Sequence, residues 1–279
     1  MKLSLLERFR RPEPEPWPTG RTIRFVTSFN DVFYDASGRR CLQTFREQNP
    51  TYDISAYIEA DDDEAVSSLE REVESWGAAA VRLSELPLLS KFLEVAKDVI
   101  PREFGGDAPP EMFPGEGPRT GDIWFRKNMY RWFRKIVALD HATRSSDDVL
   151  FWIDCDCFSK APLPYEVIEQ TFGGAGVIYM KASRKHSETG LVGYDLGQPA
   201  VHELIAAMKH HYMSREFEQY KRWDDCITLD LCLRRPGAPR SRDIAKRAVA
   251  NAEVLPTTPF APYLQHDKGL HSRKLGLVR

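Results

Sequence analysis

The sequence predicts an α/β fold: a mixed, mostly parallel sheet flanked by helices, in a single domain. Three observations carry this expectation. Strand-like and helix-like segments alternate along the chain. The apolar run Leu150-Phe151-Trp152-Ile153 follows a helix-like segment, the pattern of a strand buried on both faces of a parallel sheet. The run then ends in Asp154-Cys155-Asp156. Two carboxylates at i and i+2 thus fall where open α/β sheets hold their ligands.

At 279 residues the chain is long enough for a substantial core, as one large domain or two small ones. A hydrophobic share of 42% and a charged share of 29% suit a globular protein. The net charge of -2 gives no global basic field, which speaks against charge-driven nonspecific nucleic-acid binding, although local basic segments remain. The five cysteines are an odd number, and Cys155 and Cys157 flank an acid rather than forming a spaced framework. That pattern suits a reducing compartment, and the expected location is cytoplasmic. A Cys-x-Cys zinc site is not expected, because no second cysteine or histidine pair sits at ligand spacing. No apolar stretch reaches the length of a membrane span, and the N-terminus carries no signal-peptide core.

Residues 1–20 read as an extension. Met1 to Arg11 is a short amphipathic segment with a basic end, better suited to docking or fraying than to a membrane surface. A proline at every second position from Pro12 to Pro18 makes the following stretch extended. The domain is therefore expected over 21–279. Thr22 to Thr27 is the first strand, closing on the polar group Ser28-Phe29-Asn30. A helix follows to about Gln48, with Leu42 and Phe45 on its apolar side, and Asn49-Pro50 stops it. Ile54 to Ile58 is the second strand; the acid run Glu59 to Glu64 beyond it reads as a solvated loop and helix start. Helices are expected near Glu64 to Trp76 and Glu85 to Val99, with the short apolar Ala79-Ala80-Val81 between them.

The stretch from Pro101 to Gly121 is rich in proline and glycine, and reads as a lid or acceptor loop. Asp122 to Ala142 is a helix with Phe125, Met129, Phe133, Ile136 and Val137 on one face. Lys127, Arg131, Arg134 and Lys135 share another face, which is either solvated or turned to a bound phosphate. After the acid pair come a helix from Pro162 to Phe172, a strand from Gly176 to Met180 and a glycine-containing strand from Glu188 to Tyr194. Pro199 opens an amphipathic helix bearing Val201, Leu204, Ile205, Met208 and Tyr212. Its His210 and His211 are adjacent, cannot converge on one metal and read as surface residues. A helix opens at Trp223-Asp224-Asp225. Arg234 to Arg247 is a basic loop and helix, solvated or in contact with an anionic partner.

Asp154 and Asp156 at a strand end can hold a hard divalent cation through oxygen, and the cation a diphosphate. The plainer alternative is a surface turn with solvated acids. The wider set is more specific. The strand-helix alternation with Asp-x-Asp at a central strand end resembles the GT-A glycosyltransferases, of Rossmann-like fold; "FVTSFN" with a helix and "NP" after it, "WFRK" before "VLFWIDCD", then "SETGLVGYDL", "WDDC" and "HDKG" together look like a family of small bacterial and viral enzymes of this fold. The resemblance runs from about Arg21 to Lys274.

It implies transfer of a sugar from a nucleotide diphosphate, most simply a UDP-sugar, to an acceptor hydroxyl with manganese or magnesium. Asp156 would be the direct metal ligand, with Asp154 acting through the ribose or a metal-bound water. His266 matches the late histidine ligand of glycogenin-like members, whose motif is His-x-x-Gly-x-x-Lys. Gly269 is in register, but the next lysine is Lys274, so Lys268 becomes the phosphate candidate. The late histidine favours retention of configuration. Arg134 and Lys135 would assist the leaving diphosphate. Thr27, Ser28 and Glu59 would line the nucleoside pocket. Asp225 and Glu188 compete as the base for the acceptor, although Asp225 is also a plain helix-start acid.

Two other classes remain. A haloacid-dehalogenase-type phosphohydrolase would use Asp154 as nucleophile and Asp156 as acid–base. Phe158 stands where that motif has Thr or Val, and the motif lies mid-chain rather than on the first strand. A noncatalytic sugar or nucleic-acid binding module is the other. The acceptor is expected to be a glycan or, given the basic segments, a hydroxylated base in DNA.

Overall fold

The computed structural model describes residues 20–60, 62–99, 122–144, 148–182, 186–246 and 254–267. Expectations placed on the N-terminal extension, on 101–121, and on Lys268 and Lys274 lie outside the described residues.

β1 (Ile23–Asn30) opens the fold. Alternation puts Phe25, Thr27 and Phe29 on one face and Val26 and Ser28 on the other. The Asn30 side chain caps a helical turn by accepting from the Phe33 N–H at 2.9 Å. A π-helical turn over Tyr34–Gly38 then feeds α1 (Arg39–Gln48). Gly38 is tolerated in this helical stretch because a Cβ there would lie 3.0 Å from the Phe29 ring. At the end of α1, Asn49 is buried and fully used. Its amide nitrogen donates to Ser159 Oγ at 3.1 Å, and its oxygen accepts from the Leu163 N–H at 2.8 Å. The Asn-Pro stop thus ties α1 to the segment following the acid pair.

The remaining elements are β2 (Asp53–Glu59), α2 (Asp63–Ser75), β3 (Ala79–Arg82), α3 (Pro87–Ala96), α4 (Asp122–Lys127), α5 (Met129–Ala142), β4 (Val149–Ile153), β5 (Cys157–Ser159) and α6 (Tyr165–Phe172). They continue with β6 (Val177–Met180), β7 (Glu188–Asp195), α7 (Pro199–Met213), α8 (Asp225–Cys232), β8 (Ser241–Asp243) and β9 (Leu264–His266). Seven strands form one sheet in the order β3-β2-β1-β4-β7-β6-β8. β7 runs antiparallel to both neighbours, and every other pairing is parallel. The fold is therefore α/β with a mixed, mostly parallel sheet flanked by helices, as expected.

Both faces of the sheet are covered. Phe25, Phe29, Ile54, Phe151 and Ile153 pack with α1, α2 and α6, and Val26, Tyr57, Leu150, Trp152 and Val192 pack with α3, α5, α7 and α8. Phe25 and Phe151 stack across β1 and β4 with centroids 4.9 Å apart. Gly193 of β7 faces this layer: a Cβ there would lie 2.7 Å from Ile178 and 2.8 Å from both Phe151 and Phe172. Gly193→Ala is expected to destabilise by about 1–3 kcal/mol through overpacking, read from a denaturant melt.

Several elements differ from expectation. Ala79–Arg82 is an edge strand, paired parallel to β2. The expected Asp122–Ala142 helix is split at Asn128 into α4 and α5. The basic segment contains β8 rather than a helix; its three residues are exposed and pair with β6. No apolar alternation could announce a strand held only by its backbone. His211 is buried rather than on the surface, with Nδ1 3.5 Å from Glu216. No helix among the described residues is long and apolar enough to cross a membrane.

Candidate active site at the end of β4

Chain order places β1, β2 and β3 on one side of the sheet centre, and the chain then returns to β4 beside β1. Strand order therefore reverses between β1 and β4, the position at which open α/β sheets bind ligands. Asp154 to Asp156 lie just past the end of β4. Because β7 is antiparallel, its first residues Glu188, Thr189 and Gly190 emerge at that same edge. The Asp154 N–H donates to the Gly190 carbonyl at 2.8 Å.

Asp154 is the open member, its side chain 37% exposed. Its Oδ1 accepts from the Trp152 indole N–H at 2.7 Å and faces Lys135 Nζ at 3.4 Å. Asp156 is buried, with Oδ1 3.1 Å from His266 Nε2. Backbone pairing brings these distant residues together: β5 and β9 are antiparallel with Cys157 opposite His266, and the Asp267 N–H donates to the Asp156 carbonyl at 3.0 Å. Burial alone would lower the His266 pKa, but the adjoining Asp156 carboxylate, with Glu188 and Asp154 behind it, outweighs burial and raises the imidazole to about 9.

Gly190 is the common neighbour of Asp154 and His266. A Cβ at this residue would lie 2.8 Å from His266 Cε1, 3.2 Å from His266 Nδ1 and 3.4 Å from Asp154 Oδ2. Of the residues expected to be metal ligands, Asp156 and His266 pair directly, and Asp154 borders the same glycine as His266. Two carboxylates with one imidazole are a donor set that fits a manganese-like ion. Asp156, Cys157 and His266 also offer ligand atoms within 4.8 Å of one another. Gly190→Ala is expected to push His266 and Asp154 apart and weaken Mn2+ binding at least tenfold while the protein still folds. Unchanged titration of Mn2+ into the variant would refute that.

The stripe cations do not behave as expected. Lys135 is 8% exposed, and its Nζ reaches Asp225 Oδ2 at 2.7 Å, the Thr189 carbonyl at 2.6 Å and Asp154. An ammonium has three donors, and these three acceptors use them. Burial would lower its pKa, but Asp154 and Asp225 raise it, so Lys135 is a fixed internal cation rather than a free phosphate ligand. Arg134 is 2% exposed and grips Glu59 with two bonds, 2.5 Å from Nε and 2.8 Å from Nη2. Its role is to hold Glu59 at the end of β2, where Glu59 lies opposite Asn30 of β1. Reading the stripe as solvated overlooked that α5 packs against the sheet on this side. Arg131, one turn earlier on α5, lies 4.8 Å over the Phe33 ring. Its charge reaches Cys155, whose thiol is pushed up to about 12, chiefly by burial and then by the flanking acids. Arg131 is thus placed toward the acid pair as well, beside Lys135 at Asp154.

Asp225 is buried at the start of α8, behind the N-cap Asp224, which accepts from the Ile227 N–H at 3.1 Å. Burial would raise the Asp225 pKa, but the Lys135 charge and hydrogen bonds from Lys135 and Thr189 hold it below the ordinary carboxylate value. A carboxylate so stabilised is a poor proton acceptor, which removes Asp225 as a general base. Glu188, at the start of β7, lies within electrostatic reach of His266. Thr27 is fully buried on the Phe25 side of β1, so it does not line an open pocket, whereas Ser28 is half-buried on the opposite face.

No protein-family model matches the chain, and no curated protein matches it in sequence. Among solved structures it is similar to mouse xyloside xylosyltransferase 1, with 8% identity over 80% of this chain and 85% of that one and a TM-score of 0.47. It is also similar to the glycosyltransferase GlyE of Streptococcus pneumoniae TIGR4 (10% identity, 80% of this chain, 45% of that one, TM-score 0.45). A third is PaToxG glycosyltransferase (9% identity, 78% and 70%, TM-score 0.45).

Proposed function

We propose that the protein is a metal-dependent glycosyltransferase that takes a sugar from a nucleotide diphosphate donor, most simply a UDP-sugar, and passes it to an acceptor hydroxyl. The observation that carries this reading is that Asp154 Oδ2 and His266 border the same glycine, Gly190, while Asp156 pairs with His266, all where strand order reverses. These three residues would hold Mn2+ or Mg2+, which when bound would neutralise charge developing on the departing diphosphate. Arg131 would add a second positive charge from α5. Ser28 and the Arg134-anchored Glu59, at the ends of β1 and β2, would face the nucleoside.

For the acceptor proton, Glu188 is the remaining side-chain candidate. Retention of configuration, in which the leaving phosphate accepts that proton, would need no protein base. The acceptor would be a glycan or a hydroxylated base in DNA; for the latter, Arg234, Arg240 and Arg242 of the β8 segment would contact phosphate. Incubation of the purified protein with each common sugar nucleotide and Mn2+, followed by mass analysis of products, tests the reading. Sugar transfer or donor hydrolysis dependent on the ion supports it. Release of phosphate from phosphomonoesters, with nucleotide sugars left intact, would support the phosphohydrolase instead.

A further inference from the structure

We propose that Trp152 and Lys135 are positioning residues that fix the rotation of Asp154, so that Oδ2 alone is presented to the cation; this rests on the proposed cation site. By alternation Trp152 is a core position of β4, and any large apolar side chain would satisfy it. The indole adds one thing an apolar residue lacks, a single N–H donor. That N–H meets Asp154 Oδ1 at 2.7 Å. Lys135 approaches the same oxygen at 3.4 Å while sitting 4.6 Å over the Trp152 ring centroid. One side chain therefore supplies both a donor for the acid and a platform for the ammonium beside it.

Both donors act on Oδ1, whereas Oδ2 borders Gly190, the glycine that also abuts the His266 ring. A carboxylate torsion is broad and roughly two-fold, so an untethered Asp154 would present either oxygen. Pinning one oxygen removes that freedom before the ion arrives, in the way hydrogen bonds to ligating carboxylates tune metal sites. Lys135 extends the network through Asp225 and Thr189, which sets α8 and β7 against the same acid. The two residues differ in what they add: Lys135 brings compensating charge, and Trp152 brings direction without opposing a cation.

Two variants isolate the N–H. Trp152→Phe removes it with part of the ring. Replacement of Trp152 by benzothienylalanine keeps the bicyclic shape and lacks only the donor, so folding is preserved if the phenylalanine variant fails. Mn2+ affinity, read from the electron paramagnetic resonance of the free ion without nucleotide, is expected to fall about tenfold in either variant. The melting temperature of the benzothienyl protein should stay at the wild-type value, and neither substitution should weaken Mn2+ further in an Asp154→Ala background. Wild-type affinity in the benzothienyl protein would overturn this inference alone, as would an undiminished loss in the Asp154→Ala background. Failure of the wild-type protein to bind Mn2+ would overturn both this inference and the proposed function.

Discussion

Lys135→Met is expected to destabilise the protein by about 3–5 kcal/mol, because it strands a buried carboxylate. Lys135 and Asp225 are both inside the protein, 2.7 Å apart, and Thr189 Oγ1 completes the cluster at 2.7 Å from Asp225 Oδ2. Removing the cation leaves Asp225 with the Thr189 hydroxyl, the Cys226 thiol and a backbone N–H, all neutral, in place of its charge partner. For a chain of this size the loss corresponds to a fall in Tm of about 10 °C. The pH dependence carries the signature. Asp225 is held below its ordinary value of 3.8 in the folded protein, so its stabilising contribution is complete above that pH and lost as pH falls through the folded value. Without Lys135, burial raises the carboxyl instead, and protonation in acid relieves the stranded charge. The stability gap between wild type and Lys135→Met should therefore narrow as pH falls from 7 towards 4. A constant gap in urea melts across that range would refute the assignment.

Asp156→Ala is expected to remove turnover supported by the ion while leaving the fold intact. Asp156 is the buried acid beside His266, and no other described side chain replaces its carboxylate between β5 and β9. Stabilisation of the leaving charge by a bound cation is worth several kcal/mol, and each 1.4 kcal/mol is tenfold in rate, so the loss should reach roughly 1,000-fold. The fold should survive because the raised pKa of His266 depends on Asp156. In the variant the imidazole loses its chief anionic partner while burial continues to oppose its charge, so it releases its proton more readily and the cost of the broken pair is reduced. Ion-dependent turnover within tenfold of wild type, with a normal melt, would remove Asp156 from the cation site.

The parts of this arrangement that were legible in the sequence are those governed by local pattern. Leu150 to Ile153 announced a strand buried on both faces through an unbroken apolar run, and the acids after it marked the strand end. The helix start at Trp223-Asp224-Asp225 was legible, and Asp224 caps α8. Partner choice was not legible. The basic stripe of α5 looked like cations available to a phosphate, yet Arg134 is committed to Glu59 and Lys135 to Asp225, contacts across 75 and 90 residues of chain that no periodicity encodes. The direction of β7 was equally hidden. Glu188 to Asp195 reads as a strand in either sense, and only the antiparallel pairing with β4 brings Gly190 beside Asp154 and His266. Gly190 itself carried a weak signal, a glycine inside a strand pattern, which marks close approach of another group without saying which.

The most direct measurement is calorimetric titration of UDP and the other nucleoside diphosphates into the wild-type protein with and without Mn2+. One nucleoside diphosphate should bind in the presence of the ion, lose most of its affinity when the ion is chelated, and bind Asp156→Ala no better than the chelated protein. Binding of equal strength with and without Mn2+, or to wild type and Asp156→Ala alike, would contradict a cation held by Asp154, Asp156 and His266 that grips the diphosphate.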